Sequence, residues 1–218
     1  MGRAIAMRFA RDGYAVAAAG RSADSLAGIS DELRAYGARF VLTVCDVADK
    51  AEVAGAVAEA ERTLGPIDVL VNSAGISESA PFATMDDEMW ERTLAVNLTG
   101  TYHCMRVVFP GMLARHRGRI INIASTAGRV GFPYTAAYVA SKHGVLGLTR
   151  AVALEAQGKG VTVNAICPGW IDTDMTRRAI ERIVARTGRT PEEARRVIEQ
   201  MNPAGRLIRP DEVAAVAA

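Results

Sequence analysis

The chain has 218 residues, half of them hydrophobic, with a formal net charge of +2. That length carries a sizeable core in one domain spanning 1–218, and so even a charge balance speaks against a nucleic-acid-binding stripe or a polybasic tail. No apolar run reaches the roughly 20 residues of a membrane helix, and the opening Met1-Gly-Arg-Ala-Ile-Ala-Met-Arg-Phe-Ala-Arg is a short amphipathic pattern, not a signal peptide.

Periodicity and punctuation divide the chain into alternating helices and strands. Residues 2–12 read as a helix and 13–20 as a short strand, with Arg21-Ser22 opening a loop. A helix over 25–37, a strand over 39–44 and a helix over 50–64 follow, the last closed by Gly65-Pro66. Residues 67–71 form a strand running into Asn72-Ser-Ala-Gly75. Residues 85–115 are one long helical stretch, carrying Asn97 and interrupted near Pro110-Gly111. Then come a strand over 119–124, a helix over 138–157, a strand over 161–166 and a loop from Cys167 to Met175. Residues 176–202 read as a charged helical segment, and a last helix starts near Pro210. Strands alternating with helices of about 10–20 residues predict a parallel, doubly wound α/β sheet in three layers.

Cys45, Cys104 and Cys167 are odd in number, far apart and in apolar settings, which reads as buried, reduced thiols in a cytoplasmic protein. His103, His116 and His143 share no ligand spacing with them, so no metal site is expected.

One stretch carries chemistry. Ser125 stands at the end of an apolar strand, Tyr138 follows it by thirteen residues, and Lys142 follows Tyr138 by four. On a helix Tyr138 and Lys142 share a face, one turn apart. Ligands of open α/β sheets bind at the C-terminal edge where Ser125 lies. A free tyrosine, with a pKa of about 10, exchanges protons poorly at neutral pH. A cation within reach favours phenolate, so Lys142 is expected to tune Tyr138 towards working pH. Ser125 would hold a substrate oxygen as charge develops on it. The set suits hydride transfer to a carbonyl with Tyr138 delivering the proton. The plainer alternative is a surface helix that happens to carry Tyr and Lys.

With those residues in place, the whole chain resembles the short-chain dehydrogenase/reductase family, on a Rossmann-type fold. Asn72-Ser-Ala74-Gly75 is similar to the family's N-N-A-G turn beside the cofactor, and Asp46-Val47 stands where the family contacts the adenine. Asn97 matches the asparagine that supports a water in the proton relay. Ser125, Tyr138 and Lys142 match the catalytic positions, and Pro168-Gly169 with Ile171 and Thr173 matches the loop that holds the nicotinamide carboxamide. The resemblance also implies a homotetramer or dimer built on the helices around 85–115 and 138–157.

Cofactor choice follows from charge. NAD users place an acid after the second strand, whereas NADP users place an arginine near the 2′-phosphate. Here the acidic position is Gly20, followed by Arg21-Ser22, which points to NADP(H) over NAD(H). The alternative is that Arg21 is a solvated loop cation. Around Asn164 to Met175 the chain is similar to 3-oxoacyl-thioester reductases and 3-hydroxyacyl dehydrogenases, with 176–202 as substrate lid. Arg177, Arg178, Arg182 and Arg186 would meet the phosphates of an acyl carrier or coenzyme A, or form a solvated face balanced by Glu181, Glu192 and Glu193.

The family's opening strand and glycine-rich phosphate loop are matched only at their end, by Met1 to Ala6, with Gly2 as the last glycine. The other end stops inside a helix, before the family's last strand. The expectation is therefore a chain truncated at both ends. The missing strand would lie between those beginning near Tyr14 and Ile67, leaving unpaired backbone mid-sheet. The expected function is NADPH-dependent reduction of a 3-oxoacyl thioester. The alternatives are an NAD(P)-dependent alcohol or 3-hydroxyacyl dehydrogenase, or a truncated non-catalytic member of the family.

Overall fold

The computed structural model describes residues 1–218. In chain order it runs α1 (Gly2–Arg11), β1 (Val16–Gly20), α2 (Ala23–Ala35), β2 (Phe40–Val44), α3 (Lys50–Leu64) and β3 (Val69–Asn72). There follow α4 (Asp87–Leu94), a π-helical turn (Ala95–Thr99), α5 (Gly100–Ala114), β4 (Gly118–Ile123), α6 (Ala136–Glu155) and β5 (Val161–Ile166). The chain ends with α7 (Asp174–Thr187), α8 (Pro191–Gln200) and α9 (Pro210–Ala217).

Every strand pairing is parallel. Val16 stands opposite Phe40, Val69 opposite Arg119, and Gly118 opposite Val161. The strands form two sheets, β1–β2 and β3–β4–β5. No ladder joins β1 to β3, the break expected between the strands near Tyr14 and Ile67. Ala17 and Ala19 of β1 stay exposed, so water can reach its polar backbone. What ties the halves together is apolar packing. Ala18, Phe40 and Leu42 of one sheet share a cluster with Val69, Val71, Ile121 and Ile123 of the other, covered by Ile5 and Phe9 of α1 and Val213 of α9.

The strand period of two makes β4 the centre of the sandwich. Ile121 and Ile123 face the α1, α2 and α9 side, while Ile120 packs with Met105, Val108 and Met112 of α5 on the other. Each such buried side chain stabilises the fold by about 1.5–3 kcal/mol.

Two helical expectations are corrected. The break in 85–115 is not at Pro110, which sits inside α5. Pro110 and Arg106 are both exposed, so water can solvate the Arg106 carbonyl that lost its donor. The break is the π-helical turn around Asn97. The charged segment 176–202 is two helices, not one. Gly188 adopts φ +70 at the end of α7, and Thr190 opens α8 with a reciprocal capping box to Glu193. The three cysteines are free thiols, but only Cys45 is buried as expected; Cys104 and Cys167 are half-buried, because their elements leave part of each facing outward.

Candidate active site

Three elements deliver the reactive side chains. β4 runs in parallel register between β3 and β5 and ends just before Ser125, whose extended backbone and Oγ, accepting from Ala127 N at 3.1 Å, start a short 3₁₀ turn. Thr126 N donates to Pro168 O at 2.9 Å, tying the serine loop to the loop after β5. α6 begins two residues before Tyr138, so Tyr138 and Lys142 lie on its first turns. Lys142 Nζ stands 5.7 Å from the centre of the Tyr138 ring.

The π-helical turn places Asn97 with no exposed surface. Its Oδ1 accepts from Ile76 N at 2.8 Å, and its Nδ2 donates to Ile76 O and to Ser141 Oγ, both at 3.0 Å. Ser141, also without exposed surface, donates in turn to Tyr138 O at 2.7 Å. The Asn97 carboxamide is thus occupied by protein groups, and its backbone carbonyl takes Thr101 Oγ1 at 2.8 Å. Sequence reasoning did not single out Ser141, although its place three residues after Tyr138 puts it on the same side of α6.

Gly75 closes the arrangement. A Cβ there would lie 3.2 Å from Asn97 Oδ1 and 3.7 Å from Lys142 Nζ, so the bare backbone leaves room directly beside both groups.

The electrostatics differ from expectation at Tyr138. Burial pushes its phenol above the usual tyrosine value, with only the Ser125 hydroxyl acting the other way. Lys142 does not lower it. Nζ donates instead to Ile123 O at 2.8 Å, and burial brings the lysine itself down to about 8. The physical reason is desolvation: neither ion is well solvated here, so both groups lean towards neutrality.

The adjoining cleft, of about 200 Å³, brings together Gly20, Arg21, Asp46, Val47, Ala74 and Gly75. Ala19, Cys45, Ile76 and Val96 complete its wall and were not foreseen. Arg21 is exposed and forms no ion pair with a carboxylate. Asp46 caps its own turn, Oδ1 accepting from Ala48 N at 2.9 Å. Gly2 begins α1 beside Ser73, where the first amides of an uncapped helix are free to meet an anion.

Other expected side chains are committed elsewhere. Ser22 caps α2 through Ser25 N. Asn72 is buried and donates to Asn122 Oδ1 at 2.8 Å, so its carboxamide points into the sheet. Ile171 packs in the core with Ile5 and Val213. Thr173 precedes α7, and Pro168 is buried between Thr126 and the β5 end. In the basic set, Arg177 is paired with Asp174 and Asp172, and Arg186 donates to Ser79 O at 3.2 Å. A second hollow of about 280 Å³, between α6 and β5 near Arg150 and Asn164, contains none of these groups.

The model of the short chain dehydrogenase family matches residues 1–205. This chain belongs to that family. It is an NAD(P)-dependent oxidoreductase acting on CH–OH or C=O groups. It is 42% identical over 218 residues to the granaticin polyketide synthase putative ketoacyl reductase 1 of Streptomyces violaceoruber, an alignment covering 99% of this chain and 80% of that one. It is 40% identical to the acetoacetyl-CoA reductase of Shinella zoogloeoides, covering 99% and 84%. Among solved structures, an actinorhodin polyketide ketoreductase crystallised with NADPH superposes with a TM-score of 0.94 at 39% identity, covering 98% of this chain and 83% of that one. The Rossmann-type fold and the 3-oxoacyl reductase-like character of the chain are thereby established.

Proposed function

We propose that this protein uses NADPH to reduce the ketone of a 3-oxoacyl thioester carried on coenzyme A or an acyl carrier protein. The observation that carries the reading is the meeting of Ser125, Tyr138 and Lys142, with Lys142 beside Gly75 in the wall of a cleft that also holds unpaired Arg21.

The walls of the cleft suit the adenosine end of a dinucleotide. Those at Ala19, Gly20, Ala74 and Gly75 are backbone with at most a methyl group, and the start of α1 supplies free amides. Arg21 would take a 2′-phosphate by charge-assisted hydrogen bonds. Asp46 and Val47 would flank the adenine, and Pro168, Gly169 and Thr173 would hold the carboxamide end. Bound there, the dinucleotide supplies the hydride that the carbonyl carbon accepts.

The protein supplies the rest. Ser125 Oγ donates to the carbonyl oxygen and stabilises the charge that forms on it. Tyr138, kept neutral by its buried setting, gives that oxygen a proton and completes the alcohol. Lys142, near about 8, can return a proton to the phenol at physiological pH. Asn97 and Ser141 hold the first turn of α6 in place. The same reading makes 1–218 one catalytic domain with α7 and α8 as substrate lid, in a cytoplasmic dimer or tetramer built on α4 to α6. Tyr102, 46% exposed on α5, would be covered there.

The test is oxidation of NADPH by purified protein with acetoacetyl-CoA as substrate. Turnover with the thioester, slower with NADH, is the expected result. Tight NADPH binding with no oxidation by any 3-oxo thioester or simple ketone would defeat the proposal.

A further inference from the structure

Asn202 ends the 176–202 segment and was given no role of its own above, although it lies against Gly169 of the carboxamide loop. It follows the end of α8 and is 4% exposed. Its Oδ1 accepts from Trp170 N at 2.9 Å, and its Nδ2 donates to Trp170 O at 2.9 Å and to Arg206 O at 2.7 Å. One carboxamide thus pairs with both polar groups of a single peptide residue, as a neighbouring strand would. The Trp170 carbonyl also accepts from Ile208 N at 2.9 Å, and Asp172 N donates to Ile208 O at 2.9 Å.

The chain between these contacts is the flap formed by α7 and α8, which leaves the loop after Trp170 and returns at Asn202. Asn202 therefore fastens the two feet of the flap together. It does so against Gly169, where a methyl group would run into its Oδ1. On the other side the same loop is held to the serine loop by Thr126 N and Pro168 O.

We propose that Asn202 is a positioning residue for the Pro168-Gly169-Trp170 loop, setting the backbone that meets the carboxamide end of the nicotinamide nucleotide. The inference rests on the cofactor placement given under the proposed function. Asn202 makes no contact with the reacting atoms. It acts by replacing backbone freedom in the loop with two hydrogen bonds at Trp170, the third being anchored on Arg206 O, and misplacement of a binding loop by about 1 Å can cost up to about 100-fold.

The test compares wild type with Asn202→Leu, which keeps the branched four-atom side chain and removes the hydrogen bonds. Two readouts do not depend on turnover. The first is amide hydrogen exchange at Trp170, whose N–H faces Asn202. The second is the Kd for NADPH set against that for adenosine 2′,5′-bisphosphate, a probe with the phosphate end and no nicotinamide. The expected result is loss of Trp170 protection and about tenfold weaker NADPH binding, from two lost hydrogen bonds, with the bisphosphate Kd within about twofold of wild type. Equal weakening of both probes, or unchanged NADPH affinity despite lost protection, would overturn the assignment.

Should Asn202→Leu unfold, a double-mutant cycle keeps the question open to measurement. Gly169→Ala should weaken NADPH binding in wild type and cost little more in Asn202→Ala, where the clashing oxygen is gone. Additive effects would overturn the assignment. Wild-type protein that binds neither NADPH nor NADH would remove the cofactor reading itself, and this inference with it, whereas normal wild-type binding with unaltered variants removes the inference alone.

Discussion

The ammonium of Lys142 donates to the carbonyl of Ile123 at 2.8 Å, two residues before Ser125. One hydrogen bond thus pins α6 to the end of the central strand. It leaves the lysine buried, with a pKa lowered to about 8, and leaves Tyr138 to be governed by its own desolvation.

That relationship sets a pH dependence. A lysine whose folded pKa is depressed costs stability while it is charged. Between about 8 and 10.5 the unfolded chain binds more protons than the folded one, so stability rises with pH across that window. Below it the cost is fully present. Lys142→Met removes the titrating group. Urea midpoints at about pH 7 and about pH 10 should show wild type gaining on the variant by on the order of 2 kcal/mol. Parallel curves would mean that Lys142 titrates as an ordinary surface lysine.

Tyr138→Phe keeps the ring and removes the proton. Loss of a general acid lowers kcat by about 10²–10⁴. NADPH affinity, measured by fluorescence titration, should stay within about twofold. A variant that still turns over at a tenth of the wild-type rate would place the acid elsewhere.

Arg21→Asp reverses the charge at the mouth of the cleft. A hydrogen bond to a charged partner contributes about 1.5–3 kcal/mol, so the ratio of kcat/KM for NADPH over NADH should fall by about 10- to 100-fold. An unchanged ratio would make Arg21 a solvated cation only.

Much of this site could be read from the sequence, and the failures have physical causes. The bounds of α3 and β5 agree because local signals are strong there: Asp49 caps α3, Gly65 ends it at φ +96, and β5 alternates buried and exposed residues at its start. The helical segment expected over 176–202 is helical, but its division at Gly188 went unread because charge continued across it, although Thr190-Pro-Glu-Glu193 marked a new start. The nearness of Tyr138 and Lys142 on α6 was legible because their spacing follows the helix period. The direction of the Tyr138 shift was not, because desolvation depends on what packs around a group rather than on its neighbours in sequence. Asn202 was silent for the same reason: two of its three hydrogen bonds go to Trp170, 32 residues away.

The buried pair Asn72 and Asn122 gives a stability prediction. Asn122 Nδ2 also donates to Thr149 Oγ1 at 2.9 Å, linking β3, β4 and α6. Asn122→Leu strands the Asn72 amide and should cost about 1–3 kcal/mol in urea melts. Removing both polar partners, with Asn72→Leu added, should recover part of that loss. A double variant weaker than the sum of the singles would show that the pair does more than satisfy itself.

The two sheets share no ladder, and the cleft is walled from both: Ala19 and Gly20 belong to one, Ala74 and Gly75 follow the end of the other. An occupant of that cleft would touch both sheets at once and stabilise them together, so the melting temperature should rise with ligand concentration.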